Sequence, residues 1–144
     1  MSRLAGLRGA SDLAGFIAER YRGLVVEVGA GHLPDVAVCL ARISQDLSVL
    51  ATDRESRSLG SLEVEGDDIF SPRIELYTGA SLIYSVRPSY EMQIAICALA
   101  AMVGADVLIL PLEDEIAEIH GFSRTLVNKG EARFYLLRPK ERPS

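Results

Sequence analysis

The chain has 144 residues, 49% hydrophobic and 24% charged, with a formal net charge of −5. A chain of this size buries one continuous core, so neither a second domain nor a disulfide framework is required. The negative balance argues against a generic nucleic-acid binder. No apolar run is long enough to span a bilayer and the start lacks the apolar core of a secretory signal, so a soluble cytoplasmic protein is expected.

The expected organisation is a loose segment over 1–10, one domain over 11–138 and a tail over 139–144. Arg3 and Arg8 near the start, and Arg138, Lys140 and Arg142 near the end, read as solvated charges. Ser11 is placed to cap a first helix whose apolar stripe is Leu13, Phe16, Ile17 and Tyr21. A strand over 24–28 follows, apolar except for Glu27, and then a helix from about Pro34 to Ile43. Further strands are expected at 48–52, closing on Asp53, and at 62–65, closing on Gly66, Asp67 and Asp68.

Ser71, Pro72 and Gly79 bracket a short helix before a strand over 80–86. Met92, Ala95, Ile96, Leu99 and Val103 repeat at helical spacing between Pro88 and Gly104. A strand over 106–110 stops at Pro111, and the acidic residues from Glu113 to Glu118 predict a brief helix. Apolar segments at 124–127 and 133–137 flank Asn128, Lys129, Gly130 and Glu131, which is a hairpin signal. Strands alternating with helices, then a hairpin, predict an α/β fold with a mostly parallel sheet and one reversed strand. Cys39 and Cys97 fall in helices on opposite faces of that sheet and are expected to stay reduced. With two cysteines and two histidines, His32 and His120, in no ligand-like spacing, no metal site is expected.

The segment LVVEVGAGHLPDVAVCL, from Leu24 to Leu40, carries the strongest functional signal. An apolar strand enters a turn at Gly29, Ala30 and Gly31 that opens a helix, an arrangement that lets backbone approach a nucleotide-type cofactor closely. A dinucleotide fingerprint needs a third glycine where this chain has Pro34, and needs no acid in the strand. Glu27, two residues before the first glycine, instead resembles motif I of the S-adenosylmethionine-dependent methyltransferases. The element order also resembles that family's Rossmann-like doubly wound core with its closing antiparallel hairpin. More narrowly, the chain is similar to an uncharacterised archaeal family of small Rossmann-like proteins. The shared segments are the Glu-x-Gly-x-Gly turn, Ala-Thr-Asp at the end of the second strand, Asp-Asp-Ile-Phe, Tyr-Ser-x-Arg-Pro and the Gly-x-Ala-Arg-Phe-Tyr ending.

The methyltransferase resemblance implies S-adenosylmethionine or S-adenosylhomocysteine as cofactor, with Glu27 near its cationic methionine end and His32 over its amino-acid end. Asp53 stands at the spacing from Gly31 at which a carboxylate reaches a ribose hydroxyl pair. Asp67 and Asp68 resemble the acid that meets the adenine amino group, with Ile69 or Phe70 packing on the ring. Ser85 ends the strand where that family meets its substrate, and Arg87 and Tyr90 are candidate substrate contacts. Each has a structural alternative: Glu27 capping backbone amides, Asp67 and Asp68 as turn residues, Ser85 as a small packing residue, Arg87 in a surface ion pair and Tyr90 as packing.

The end of that strand, Ser85-Val86-Arg87-Pro88-Ser89-Tyr90, lacks the Asn/Asp-Pro-Pro-aromatic pattern of amino-group methyltransferases and argues against exocyclic amine methylation. Three readings stay open: an S-adenosylmethionine-binding protein or methyltransferase, an NAD-binding oxidoreductase, and a non-catalytic interaction or sensor module. The connection Asp53 to Ser61 is too short for a helical crossover, which predicts the strand at 62–65 as a bare edge covered by a homodimer or a partner protein.

Overall fold

The computed structural model describes residues 7–31, 35–44, 46–59, 62–113 and 115–141. Helix α1 (Ala10–Arg20) leads into β1 (Gly23–Val28), α2 (Asp35–Ile43), β2 (Leu47–Asp53), β3 (Arg57–Leu59) and β4 (Leu62–Gly66). A 3₁₀ turn (Ile74–Leu76) precedes β5 (Ala80–Val86), α3 (Tyr90–Val103), β6 (Asp106–Leu110), β7 (Phe122–Lys129) and β8 (Ala132–Pro139). The strands make one eight-stranded sheet in the order β3-β4-β2-β1-β5-β6-β8-β7. Pairing is parallel from β4 through β2, β1 and β5 to β6, and antiparallel where β3 meets β4 and where β8 meets β6 and β7.

The central strands are covered on both faces, which is why their sequences read as unbroken apolar runs. On one face, Leu13 and Ile17 of α1 and Val36 and Leu40 of α2 pack with Val25, Leu82, Leu108 and Phe134. On the other, Ile96, Leu99 and Ala100 of α3 pack with Val26, Ile83, Val107 and Ile109. Helix α3 is bounded as its caps dictate: the Ser89 hydroxyl accepts the Met92 N–H, and Gly104 closes it at φ 82°. Cys39 on α2 and Cys97 on α3 are free thiols with the sheet between them, and burial pushes the Cys97 thiol up to about 12. Among the described residues no helix is long and apolar enough to cross a membrane.

Several elements depart from expectation for physical reasons. Helix α1 begins at Ala10, and Ser11 lies inside it; Gly9 at φ 81° turns the chain directly into the helix, and its carbonyl takes the Leu13 N–H. The acidic stretch forms no helix over 115–119, because the buried Gln93 side chain accepts the Ala117 N–H and donates to the Glu115 carbonyl, fixing the segment in an irregular path. The strand at 62–66 is not the sheet edge. The short connection doubles back as β3, whose Arg57 and Leu59 face Val64 and Leu62, so β3 occupies that edge.

At the opposite edge, the Asp12 carboxylate of α1 accepts the Glu131 N–H in the β7–β8 turn at 2.9 Å. Gly130 holds φ +56° there, and a Cβ would run into the Asp12 carboxylate. Gly130→Ala is therefore expected to destabilise the fold by about 1–3 kcal/mol, read from the midpoint of urea denaturation.

Candidate functional site

The order in which successive strands join the sheet reverses about β1, with β2 and β4 laid to one side and β5 and β6 to the other, all five parallel. In an open parallel sheet that switch point, at the carboxyl ends of the strands, is where ligands sit. Gly29 leaves β1 at φ 74° and Gly31 follows at φ 65°. The Gly29 and Ala30 N–H groups both donate to the Thr52 carbonyl, at 2.9 and 3.0 Å, so the turn is tied to the end of β2. The Thr52 hydroxyl donates in return to the Glu27 carbonyl at 3.2 Å. A Cβ on Gly29 would lie 3.1 Å from Met92 Cε, so glycine keeps this wall open.

Glu27 lies under that turn with 2% exposure. Tyr84, its neighbour across the β1–β5 ladder, donates its hydroxyl to Glu27 Oε1 at 2.8 Å. The Ala37 N–H, in the first turn of α2, also donates to the carboxylate. Burial raises the Glu27 pKa from 4.5 to about 7 despite these two bonds, with Asp35 and Asp53 adding a smaller upward push. Burial, and after it the charge and hydrogen bond of Glu27, drives the Tyr84 phenol well above its ordinary value.

A cleft of about 250 Å³ opens above the strand ends, near the lower bound of roughly 300 Å³ for drug-sized ligand sites. Gly29, Asp53, Asp67, Asp68 and Arg87 line it, together with Val28, Thr52, Arg54, Ile69, Phe70, Val86, Pro88 and Met92. Glu27, Ala30, Gly31, Ser85 and Tyr90 do not line it. Ser85 is buried and donates its hydroxyl to the Val28 carbonyl at 2.7 Å, joining the ends of β1 and β5. Tyr90 is 43% exposed at the start of α3. His32 and Pro34 lie outside the described residues.

The cleft carboxylates are already engaged. Asp53 Oδ2 is 3.0 Å from Arg57 Nη1, and the same nitrogen donates to the Gly31 carbonyl. Asp67 accepts the Tyr77 hydroxyl at 2.6 Å and the Arg73 N–H at 3.0 Å, and burial beside this carboxylate pushes the Tyr77 phenol upward. Asp68 accepts the Phe70 N–H at 3.0 Å within its own turn. Among the described residues there is no cluster of three or more His, Cys, Asp or Glu side chains fit to hold a metal ion. A larger hollow of about 460 Å³ lies beside Glu118, His120, Arg124 and Lys140. Its Leu137 pairs with Val107 near the start of β6, so it sits toward the amino ends of the parallel strands, away from the switch point.

Residues 10–139 match the uncharacterised protein family UPF0146. The chain belongs to that family. A UPF0146 protein of Archaeoglobus fulgidus is 44% identical over 128 residues, covering 88% of this chain and 93% of the relative. Among solved structures, a putative S-adenosylmethionine-dependent methyltransferase of Methanococcus maripaludis superposes with a TM-score of 0.64 at 15% identity, over 94% of this chain and 86% of its own. CalO1, a methyltransferase of calicheamicin biosynthesis solved with S-adenosylhomocysteine bound, superposes with a TM-score of 0.62 at 14% identity, over 91% of this chain and 53% of its own. The UPF0146 chain thus has the Rossmann-like fold of these methyltransferases and spans about half the length of CalO1.

Sequence reasoning missed four residues that shape this UPF0146 site: Thr52, Arg57, Tyr77 and Met92. Only Thr52 carried a signal, as the residue before Asp53 at a strand end. The other three reach the site from elements whose placement depends on the sheet order.

Glu27 makes stability depend on pH. Its folded pKa, about 7, lies above its ordinary 4.5. Its contribution is therefore full below about pH 4.5 and is lost as pH rises through about 7, a loss on the order of 3 kcal/mol. Glu27→Gln, which keeps an acceptor for the Ala37 N–H, should be more stable than the parent at pH 8 by roughly 1–3 kcal/mol, the gain fading toward pH 5. Urea denaturation of both proteins at the two pH values checks this.

Proposed function

We propose that this protein binds S-adenosylmethionine or S-adenosylhomocysteine in the cleft above β1, β2, β4 and β5, and uses it for methyl transfer to a small acceptor. The observation that carries the reading is the cleft at the β1–β5 switch point, walled by a glycine whose Cβ would crowd Met92 and by the Asp53 carboxylate at the end of β2. When bound, S-adenosylmethionine supplies an electrophilic methyl group to a nucleophile placed in line. Asp53 Oδ1, to which no hydrogen bond is donated among the described residues, is available for a ribose hydroxyl. Ile69 and the 61% exposed Phe70 offer an apolar platform for a purine ring. Positioning supplies most of the acceleration in such a transfer, so no acid–base pair is demanded of the chain.

Glu27 has a supporting role in this reading. It holds the start of α2 and the glycine turn in place from below, without meeting the cofactor itself. The NAD reading is weakened by the Gly29 and Ala30 amides, which are spent on the Thr52 carbonyl and are not free to cradle a pyrophosphate. A second reading, a non-catalytic scaffold, is favoured by the same internal pairing of Asp53 and Asp67.

Calorimetry separates these readings. S-adenosylhomocysteine is expected to bind at least about tenfold more tightly than NAD, and Asp53→Ala to weaken it by roughly 1–3 kcal/mol with the fold retained. No detectable binding of either methionine derivative would leave the scaffold reading; tighter binding of NAD would replace the cofactor.

A further inference from the structure

We propose that Arg87, with Arg54 as a second positive charge across the same cleft, binds the carboxylate or phosphate group of a second small ligand. The proposal deepens the cofactor reading above, naming the substrate class that would share the cleft.

The first ground is backbone conformation. Arg87 holds φ 57°, and among the described residues only Glu113 shares a left-handed φ without being glycine. A bulky residue in that region is strained, and such strain persists where surrounding structure enforces it, often at ligand sites. Here it is enforced on both sides: the Arg87 N–H donates to the Leu110 carbonyl at 2.7 Å, prolonging the β5–β6 pairing, and Pro88 is buried behind it. Glycine would adopt this turn freely, so the side chain is kept against a conformational preference.

The second ground is charge. Asp53 is neutralised by Arg57 at 3.0 Å and Asp67 lies 3.5 Å from Arg73, while Asp68 accepts a backbone N–H in its own turn. Among the described residues no acid pairs with Arg54 or Arg87, although both line the cleft with those acids. Two guanidinium groups are thus left without an ion-pair partner beside a ligand-sized space whose one carboxylate outside an ion pair, among the described residues, is Asp68. A guanidinium stays charged at any physiological pH, and its planar fork matches carboxylate and phosphate oxygens.

The test follows the arginine Nε–Hε signals of the whole ¹⁵N-labelled chain, loaded with S-adenosylhomocysteine, during titration with sodium acetate or inorganic phosphate at matched ionic strength. A saturating shift is expected at Arg87, larger than at the surface residues Arg22 and Arg138, with apparent affinity falling at least about fivefold in Arg87→Gln. Whichever anion saturates first identifies the source of the charge. Arg87→Gly should melt at or above the parent temperature, its backbone relieved, while the response at Arg54 falls to the level of the surface controls. Equal, linear shifts at all arginines would overturn the proposal, as would a Gly variant that keeps the full response. If S-adenosylhomocysteine fails to bind, the cofactor reading falls alone: the same titration on the unliganded chain still decides for or against an anion site.

Discussion

One buried carboxylate holds the functional end of the sheet together. Glu27 belongs to β1, takes the Tyr84 hydroxyl from β5 and an N–H from the first turn of α2, and offers its own carbonyl to Thr52 of β2. Three elements are tied to a fourth through a single residue with 2% exposure. Desolvating an acid there is costly, and the two bonds to its carboxylate offset part of that cost. The glycine turn inherits its position from this arrangement, because Gly29 and Ala30 hang from the carbonyl of the same Thr52.

The second constraint comes from the shortness of the chain between β2 and β4. A parallel crossover normally carries a helix, and this one has room only for β3. That strand delivers Arg57 to both the Asp53 carboxylate and the Gly31 carbonyl, so the shortened connection becomes a brace between the end of β2 and the glycine turn. Its ion pair is about one-fifth exposed on each side, so water screens it in part. A ligand reaching Asp53 meets a carboxylate already oriented by its neighbour.

Much of this architecture is legible in the residues. The strands at 80–86 and 106–110 coincide with β5 and β6, because unbroken apolar runs end at unambiguous breakers, and α3 lies between a serine cap and a closing glycine. The parallel sheet with a terminal hairpin follows from the same alternation. What stays hidden depends on contacts between distant segments. No local rule announces that Gln93 will bind the backbone at 115 and 117 and deny it a helix, or that residues 57–59 will find a partner in β4. The site shows the same division. Strand ends place Asp53, Asp67, Asp68 and Arg87 on the cleft, whereas the inward path of Glu27, toward Tyr84 and α2, depends on which face of β1 the helix covers.

The tether between Asp12 and the β7–β8 turn spans 119 residues of sequence. Helix α1 packs on Phe134 of β8 through Phe16, ring centroids 4.9 Å apart. During synthesis the helix emerges long before the hairpin that completes its binding surface exists. The nascent chain must therefore carry an apolar stripe of Leu13, Phe16 and Ile17 without its full cover until the last strands leave the ribosome. Closing so long a loop is entropically slow, and an order of assembly in which α1 meets β7 and β8 last makes folding wait on that hairpin.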